Sequence, residues 1–141
     1  MLARHLPVIL PLHPRTRAKA GEYEILKLIG AGVRIIEPVG YLDMSQFERN
    51  AAVIVTDSGG VQKEAFFYRV PCVTLRTETE WIETIELQWN RLCPTDSPLA
   101  IADCCIGAIG SKGREQSPYG DGDAAGKIAA WLAASAEDTA V

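Results

Sequence analysis

Val53-Ile-Val-Thr-Asp-Ser-Gly-Gly-Val-Gln-Lys-Glu64 is the stretch that decides how the chain is arranged. Val53 to Thr56 is a β-rich apolar run bounded by Asp57, and Ser58, Gly59 and Gly60 then open a helix expected to reach about Tyr68. A helix start leaves its first backbone N–H groups unpaired and carries partial positive charge. Glycine admits a phosphate there, where a Cβ would collide. Ser58, Gly59 and Gly60 therefore form a candidate diphosphate cradle. Glu64 lies four residues past Gly60, on the same helix face and roughly 6 Å along the axis, where a carboxylate can accept hydrogen bonds from ribose hydroxyls. Asp57 to Gly60 is also ordinary cap and turn chemistry, Glu64 also suits a solvated helix residue, and a lone glycine-rich turn is a weak motif.

With 141 residues the chain suits one domain. A hydrophobic share of 48% and a mean hydropathy of +0.04 are the profile of a soluble globular protein. A net charge of −4, with basic residues scattered except from Arg15 to Lys19, argues against a nucleic-acid partner. Cys72, Cys93, Cys104 and Cys105 form no CxxC pair and no metal-ligand spacing with His5 or His13. The expectation is buried free thiols in a reducing cytoplasm, with no metal. No stretch reaches the ~18 apolar residues of a membrane span, and Met1 to Leu6 lacks a signal peptide's apolar region, so a cytoplasmic chain without a membrane partner is expected.

Along the chain, Pro7 to Leu12 reads as a buried strand. His13, Arg15 and Arg17 follow at its carboxyl end, where open α/β sheets place ligands. His13 is there either a ligand-facing residue or a loop cap. Thr16 is expected to cap a helix through Ile29, with Val33 to Glu37 the next strand and a short helix from Asp43 or Ser45 to Asn50. Pro71 to Leu75 is a further β-branched run, and Arg76, Thr79 and Glu80 lie beyond its carboxyl end. A helix over Trp81 to Leu87 should turn Trp81, Ile82 and Ile85 inward. Gln88 to Cys93 makes a last strand, followed by helices over Ser97 to Ile109 and Ala124 to about Ala134. Residues 135–141 read as a disordered tail. Strands alternating with helices predict an α/β fold, a parallel Rossmann-like sheet covered by helices.

Taken in order, Thr56-Asp-Ser-Gly-Gly-Val-Gln-Lys-Glu-Ala65, Val70-Pro-Cys-Val-Thr-Leu-Arg76, Glu78-Thr-Glu-Trp-Ile-Glu-Thr84 and Ser117-Pro-Tyr-Gly-Asp-Gly-Asp123 resemble the non-hydrolysing UDP-N-acetylglucosamine 2-epimerase family. The likeness extends from about Val8 to Leu132. It implies one UDP-sugar-binding domain over residues 1–134, equivalent to most of the carboxyl-terminal half of a glycosyltransferase-B-like enzyme without that half's first strand and helix. Members eliminate UDP from UDP-N-acetylglucosamine and re-add it after inversion at C2, giving UDP-N-acetylmannosamine, with neither metal nor NAD.

The resemblance assigns the diphosphate to Ser58, Gly59 and Gly60 and the ribose to Glu64. Thr79 and Glu80 belong to the nucleotide-sugar pocket, with Arg76 supporting the loop or the charge beside it. His13 faces the interdomain cleft, and Tyr41 and Met44 line the uracil side. Many members carry Arg after the Thr-Glu pair, where this chain has Trp81. The acid and base carboxylates of the family come from its amino-terminal domain, so no catalytic residue is identifiable in this chain and no independent turnover is expected. The implied partners are UDP or a UDP-N-acetylhexosamine, the amino-terminal domain if the enzyme is split, and a second copy in a homodimer. A noncatalytic nucleotide-sugar-binding remnant and the donor-binding domain of a glycosyltransferase are the alternatives.

Overall fold

The structure, a computed structural model, describes residues 2–29 and 32–137. Among the described residues there are five strands and six α-helices, alternating as far as α5: β1 (Val8–Pro11), α1 (Pro14–Glu22), β2 (Val33–Ile36), α2 (Tyr41–Arg49), β3 (Ile54–Thr56), α3 (Gly59–Tyr68), β4 (Cys72–Thr74), α4 (Ile82–Glu86), β5 (Asn90–Leu92), α5 (Pro98–Ala108) and α6 (Ala124–Glu137). Every pairing is parallel. β1 lies on β2 with Val8 opposite Val33, and a second ladder runs β3-β4-β5 with Ile54, Cys72 and Asn90 side by side. Because the strands of this second ladder run in parallel, their carboxyl ends share one edge, and the loops leading to α3 and α4 emerge there together.

The central strand β4 is buried along its whole length, as a strand covered on both faces must be. On one side Ile54, Ala65, Val70 and Cys72 pack together; on the other, Val73 meets Cys93, just past β5, and Cys105 and Ala108 of α5, with Leu2 against them. A third cluster joins Phe66, Leu87 and Trp89, with Tyr119 packed on it. Burial pushes the Cys72 thiol up to about 12 and the Cys105 thiol up to about 11, so both are neutral packing groups.

Local chemistry sets several boundaries differently from the expectations. The first helix starts at Pro14 rather than Thr16: His13 Nδ1 accepts the Arg15 N–H at 3.2 Å, and Pro14 sits at the first helical position. It also stops at Glu22, seven residues short of Ile29, because Glu24 takes a left-handed backbone with φ 54°. Ile25–Leu28 then continue as a 3₁₀ turn.

α2 begins at Tyr41, with Gly40 as its N-cap, so Asp43 and Ser45 lie inside the helix instead of opening it. Tyr41 and Met44 therefore stand on its first turn and not at a strand end. Ile82, expected inward, is 57% exposed, while Trp81 and Ile85 are half-buried. α5 is capped by the Ser97 hydroxyl and runs through Gly107. It is Gly110, at φ +74°, that turns the chain away. α6 carries residues 135–137 in helix, the first part of the expected tail; residues 138–141 lie outside the described residues.

Candidate functional site

At the carboxyl end of β3, the Thr56 hydroxyl accepts the Ser58 N–H at 3.0 Å and closes the turn into α3. Ser58 is the N-cap residue in extended conformation, yet its hydroxyl makes no cap bond. The first helical bond runs from the Gln62 N–H to the Ser58 carbonyl, 3.1 Å. The N–H groups of Gly59, Gly60 and Val61 precede it and have no side-chain cap, so they are available to an outside acceptor. A Cβ at Gly59 would touch only Trp81 Nε1 at 3.5 Å and Glu80 Oε2 at 3.6 Å, and one at Gly60 only Ser58 Oγ at 3.8 Å. The protein itself thus leaves ordinary room for a side chain at both positions.

The loop after β4 closes over this tip. Arg76 grips Glu80 in a two-pronged ion pair, Nη1 to Oε2 at 3.1 Å and Nη2 to Oε1 at 2.8 Å. The pairing holds the Glu80 carboxyl below its usual range and raises the guanidinium. Trp81 Nε1 donates to the Gly59 carbonyl at 2.8 Å, tying the loop to the first residue of α3. The Thr79 hydroxyl donates to Gln62 Oε1 at 2.6 Å and accepts the Trp81 N–H at 3.1 Å, so it points inward.

Beneath the loop lies a buried polar network. Thr74 Oγ1 donates to Asn90 Oδ1 at 2.8 Å, and Asn90 Nδ2 bonds Gln62 Oε1 at 3.2 Å and Thr84 Oγ1 at 3.3 Å. All four residues are at most 2% exposed. This fastens β4, β5, α4 and the first turn of α3 to one another.

Lys63 extends between two rings, its Nζ 4.1 Å from the Trp81 centroid and 4.3 Å from that of Tyr119. Tyr119 also meets Phe66 and Phe67 edge-on and donates its hydroxyl to Glu83 Oε2 at 3.2 Å. The segment from Ser117 to Asp123 is thereby pinned beside the α3 tip.

One turn further along α3, Glu64 is half-buried and turned toward α2, where it bears on Glu48 and Tyr41. Tyr41 is 67% exposed, and its hydroxyl is raised chiefly by a hydrogen bond to Tyr68. Met44 is half-buried on the same turn. His13 lies in the other ladder, at the carboxyl end of β1, and spends Nδ1 on the cap of α1.

The structure thus gathers Ser58, Gly59, Gly60, Arg76, Thr79 and Glu80 at one helix tip, sets Glu64 one turn further along α3 with Tyr41 of α2 near it and near Tyr68, and places His13 on a separate loop. Gln62, Lys63, Asn90 and Glu48 escaped the sequence reading. For Glu48 the signal was present, since it shares a helix face with Tyr41 at i+7. Two hollows, of about 370 Å³ against Leu10, Leu12 and Tyr23 and about 630 Å³ against Ile85, Asn90, Arg91 and Lys112, are lined by none of these tip residues.

The UDP-N-acetylglucosamine 2-epimerase family profile matches residues 1–133. The chain belongs to this family. It is 43% identical over 123 residues to a UDP-N-acetylglucosamine 2-epimerase of Methanococcus maripaludis, covering 86% of this chain and 33% of that one. It is also 43% identical over 128 residues to a UDP-2,3-diacetamido-2,3-dideoxy-D-glucuronate 2-epimerase of Pseudomonas aeruginosa, covering 90% and 35%. The epimerase of Methanocaldococcus jannaschii, solved in complex with UDP-GlcNAc and UDP, superposes with a TM-score of 0.80 at 36% identity, over 92% of this chain and 36% of that one. These epimerase neighbours share the glycosyltransferase-B-like α/β fold. The chain spans about a third of the length of the epimerases it matches. Among the described residues no helix is long and apolar enough to cross a membrane.

Proposed function

We propose that this chain is the UDP-binding part of a non-hydrolysing UDP-N-acetylglucosamine 2-epimerase, a single nucleotide-sugar domain over residues 1–134. The observation that carries the reading is the uncapped first turn of α3, with glycines the protein's own packing does not require and a half-buried carboxylate one turn on.

In an elimination and re-addition at C2, UDP leaves as an anion and must be retained while the sugar is free. Backbone N–H groups of Gly59, Gly60 and Val61, with the helix dipole behind them, stabilise the departing diphosphate without reorganising. Glu64 accepts the ribose hydroxyls, and Tyr41 and Met44 stand on the uracil side. Arg76 acts through Glu80, holding the loop that carries Thr79 and Trp81 over the helix tip. His13 faces the cleft toward the rest of the enzyme. The carboxylates that move protons at C2 and C3 belong to an amino-terminal domain, and these residues alone turn over no substrate. The relatives at equal identity are named for different sugars and share UDP, the part these residues address. UDP-sugar chemistry of this kind serves cell-envelope polysaccharide synthesis in the cytoplasm.

Calorimetric titration of UDP into the wild type and Glu64→Ala tests the assignment. The wild type binds, and the variant loses at least about tenfold in affinity, as expected for hydrogen bonds to a charged acceptor. Equal binding by both removes Glu64 from the site.

A further inference from the structure

Among the described residues one carboxyl side chain is buried, that of Glu48, 3% exposed. Its Oε1 is enclosed with no hydrogen-bond partner among those residues. Tyr41, Ser45 and Glu48 recur at helical spacing on the α2 face that packs on α3, where Glu64 and Tyr68 stand one turn apart. The Ser45 and Tyr68 hydroxyls, 3.2 Å apart, fix the register of the two helices, and the neighbouring turn brings the Glu48 carboxyl to that of Glu64.

The titratable groups facing this pair are Tyr68 of α3, Cys72 of β4 and Tyr41 of α2. The nearby cation, Arg49, is turned over the Tyr68 ring at 4.7 Å. A buried carboxylate without a cation is costly, and a second carboxylate beside it makes ionisation of Glu48 costlier still.

We propose that Glu48 is a positioning residue for the nucleoside end of the site: as a carboxylic acid it donates a hydrogen bond to Glu64 and leaves the outer Glu64 oxygen to a ribose diol. This rests on the reading of Glu64 as the ribose acceptor. Burial, with Glu64 beside it, pushes Glu48 up to about 7. Below that pH the acid is intact and Glu64 is held in place. Above it the two carboxylates repel, Glu64 is displaced, and nucleotide affinity falls.

The test is UDP calorimetry from about pH 6 to about pH 8.5 on the wild type and Glu48→Gln, which keeps a donor and cannot ionise. Titration of the UDP phosphate affects both proteins alike and cancels in their ratio. At the acid end the two bind within about twofold. At the alkaline end the wild type falls roughly five- to tenfold behind the variant. Parallel profiles overturn the proposal, since a merely structural Glu48 would not change the pH dependence of binding. Carbon-detected NMR titration of carboxyl groups in the free wild type gives a second reading, independent of UDP. A Glu48 midpoint near 7 that moves down in Glu64→Gln upholds the protonated Glu48 beside Glu64, and one near the ordinary carboxyl value overturns it. A wild type that binds no UDP at any pH sinks the ribose reading, and the NMR titration still decides the carboxyl pair.

Discussion

Gly59 and Gly60 occupy the first turn of α3, where an alanine would fit as far as the protein's own atoms are concerned, since a Cβ at Gly60 meets nothing closer than 3.8 Å. Glycine in a helix costs up to about 1 kcal/mol relative to alanine, and on the reading proposed above it leaves room for a diphosphate. Gly60→Ala should leave the melting temperature unchanged or slightly raised while UDP affinity drops by an order of magnitude or more, a split that parallel thermal and calorimetric titrations measure. A variant that lost stability and kept its affinity would refute the cradle. Glu48 adds a second consequence at this scale. Its carboxyl holds its proton more tightly in the folded chain, about 7 against an ordinary 4.5. Its contribution to stability is therefore full below the ordinary value and is lost as pH rises through about 7, by on the order of 3 kcal/mol. Urea unfolding between about pH 5 and pH 8 should show this decline in the wild type and not in Glu48→Gln.

The elements around the tip are fastened by side chains rather than by their own propensities. α4 is a five-residue helix, too short to be stable alone. It is held by Asn90, which reaches Thr84, Gln62 and Thr74. Asn90→Leu strips these buried groups of their partner and should cost about 2–4 kcal/mol, read as a lower urea midpoint at unchanged slope. Such a network is hard to see in a sequence, because Gln62, Thr74, Thr84 and Asn90 are scattered and polar and look like surface residues until the fold converges on them. The order of strands and helices was largely legible, since the apolar β-branched runs before Gly59 and Arg76 carry period and punctuation together. The break after α1 was not. The alternation of Ile25, Leu26, Leu28 and Ile29 suits a 3₁₀ turn as well as an α-helix, and the reversal falls on Glu24, a residue with no turn signature. In the site, Ser58 to Gly60 and Glu64 were legible as a pattern. The inward aim of Thr79 and the capture of Arg76 by Glu80 depend on tertiary contacts that spacing does not encode.

At the scale of the whole molecule, the chain exposes apolar surface on its last helix. Ile128, Trp131 and Leu132 form one stripe of α6, 59%, 69% and 56% exposed. Concentration-dependent self-association in sedimentation velocity is the expected result, lessened in Trp131→Ser, and a clean monomer at high concentration would count against it. The three tryptophans are spread across three environments: Trp89 enclosed at 3% exposure, Trp131 on the open stripe, and Trp81 with its indole nitrogen on the Gly59 carbonyl. Any anion settling against that carbonyl's peptide perturbs one indole and leaves the other two unchanged. The chain thus has a built-in optical gauge of occupancy, and its emission reports the helix tip without a label.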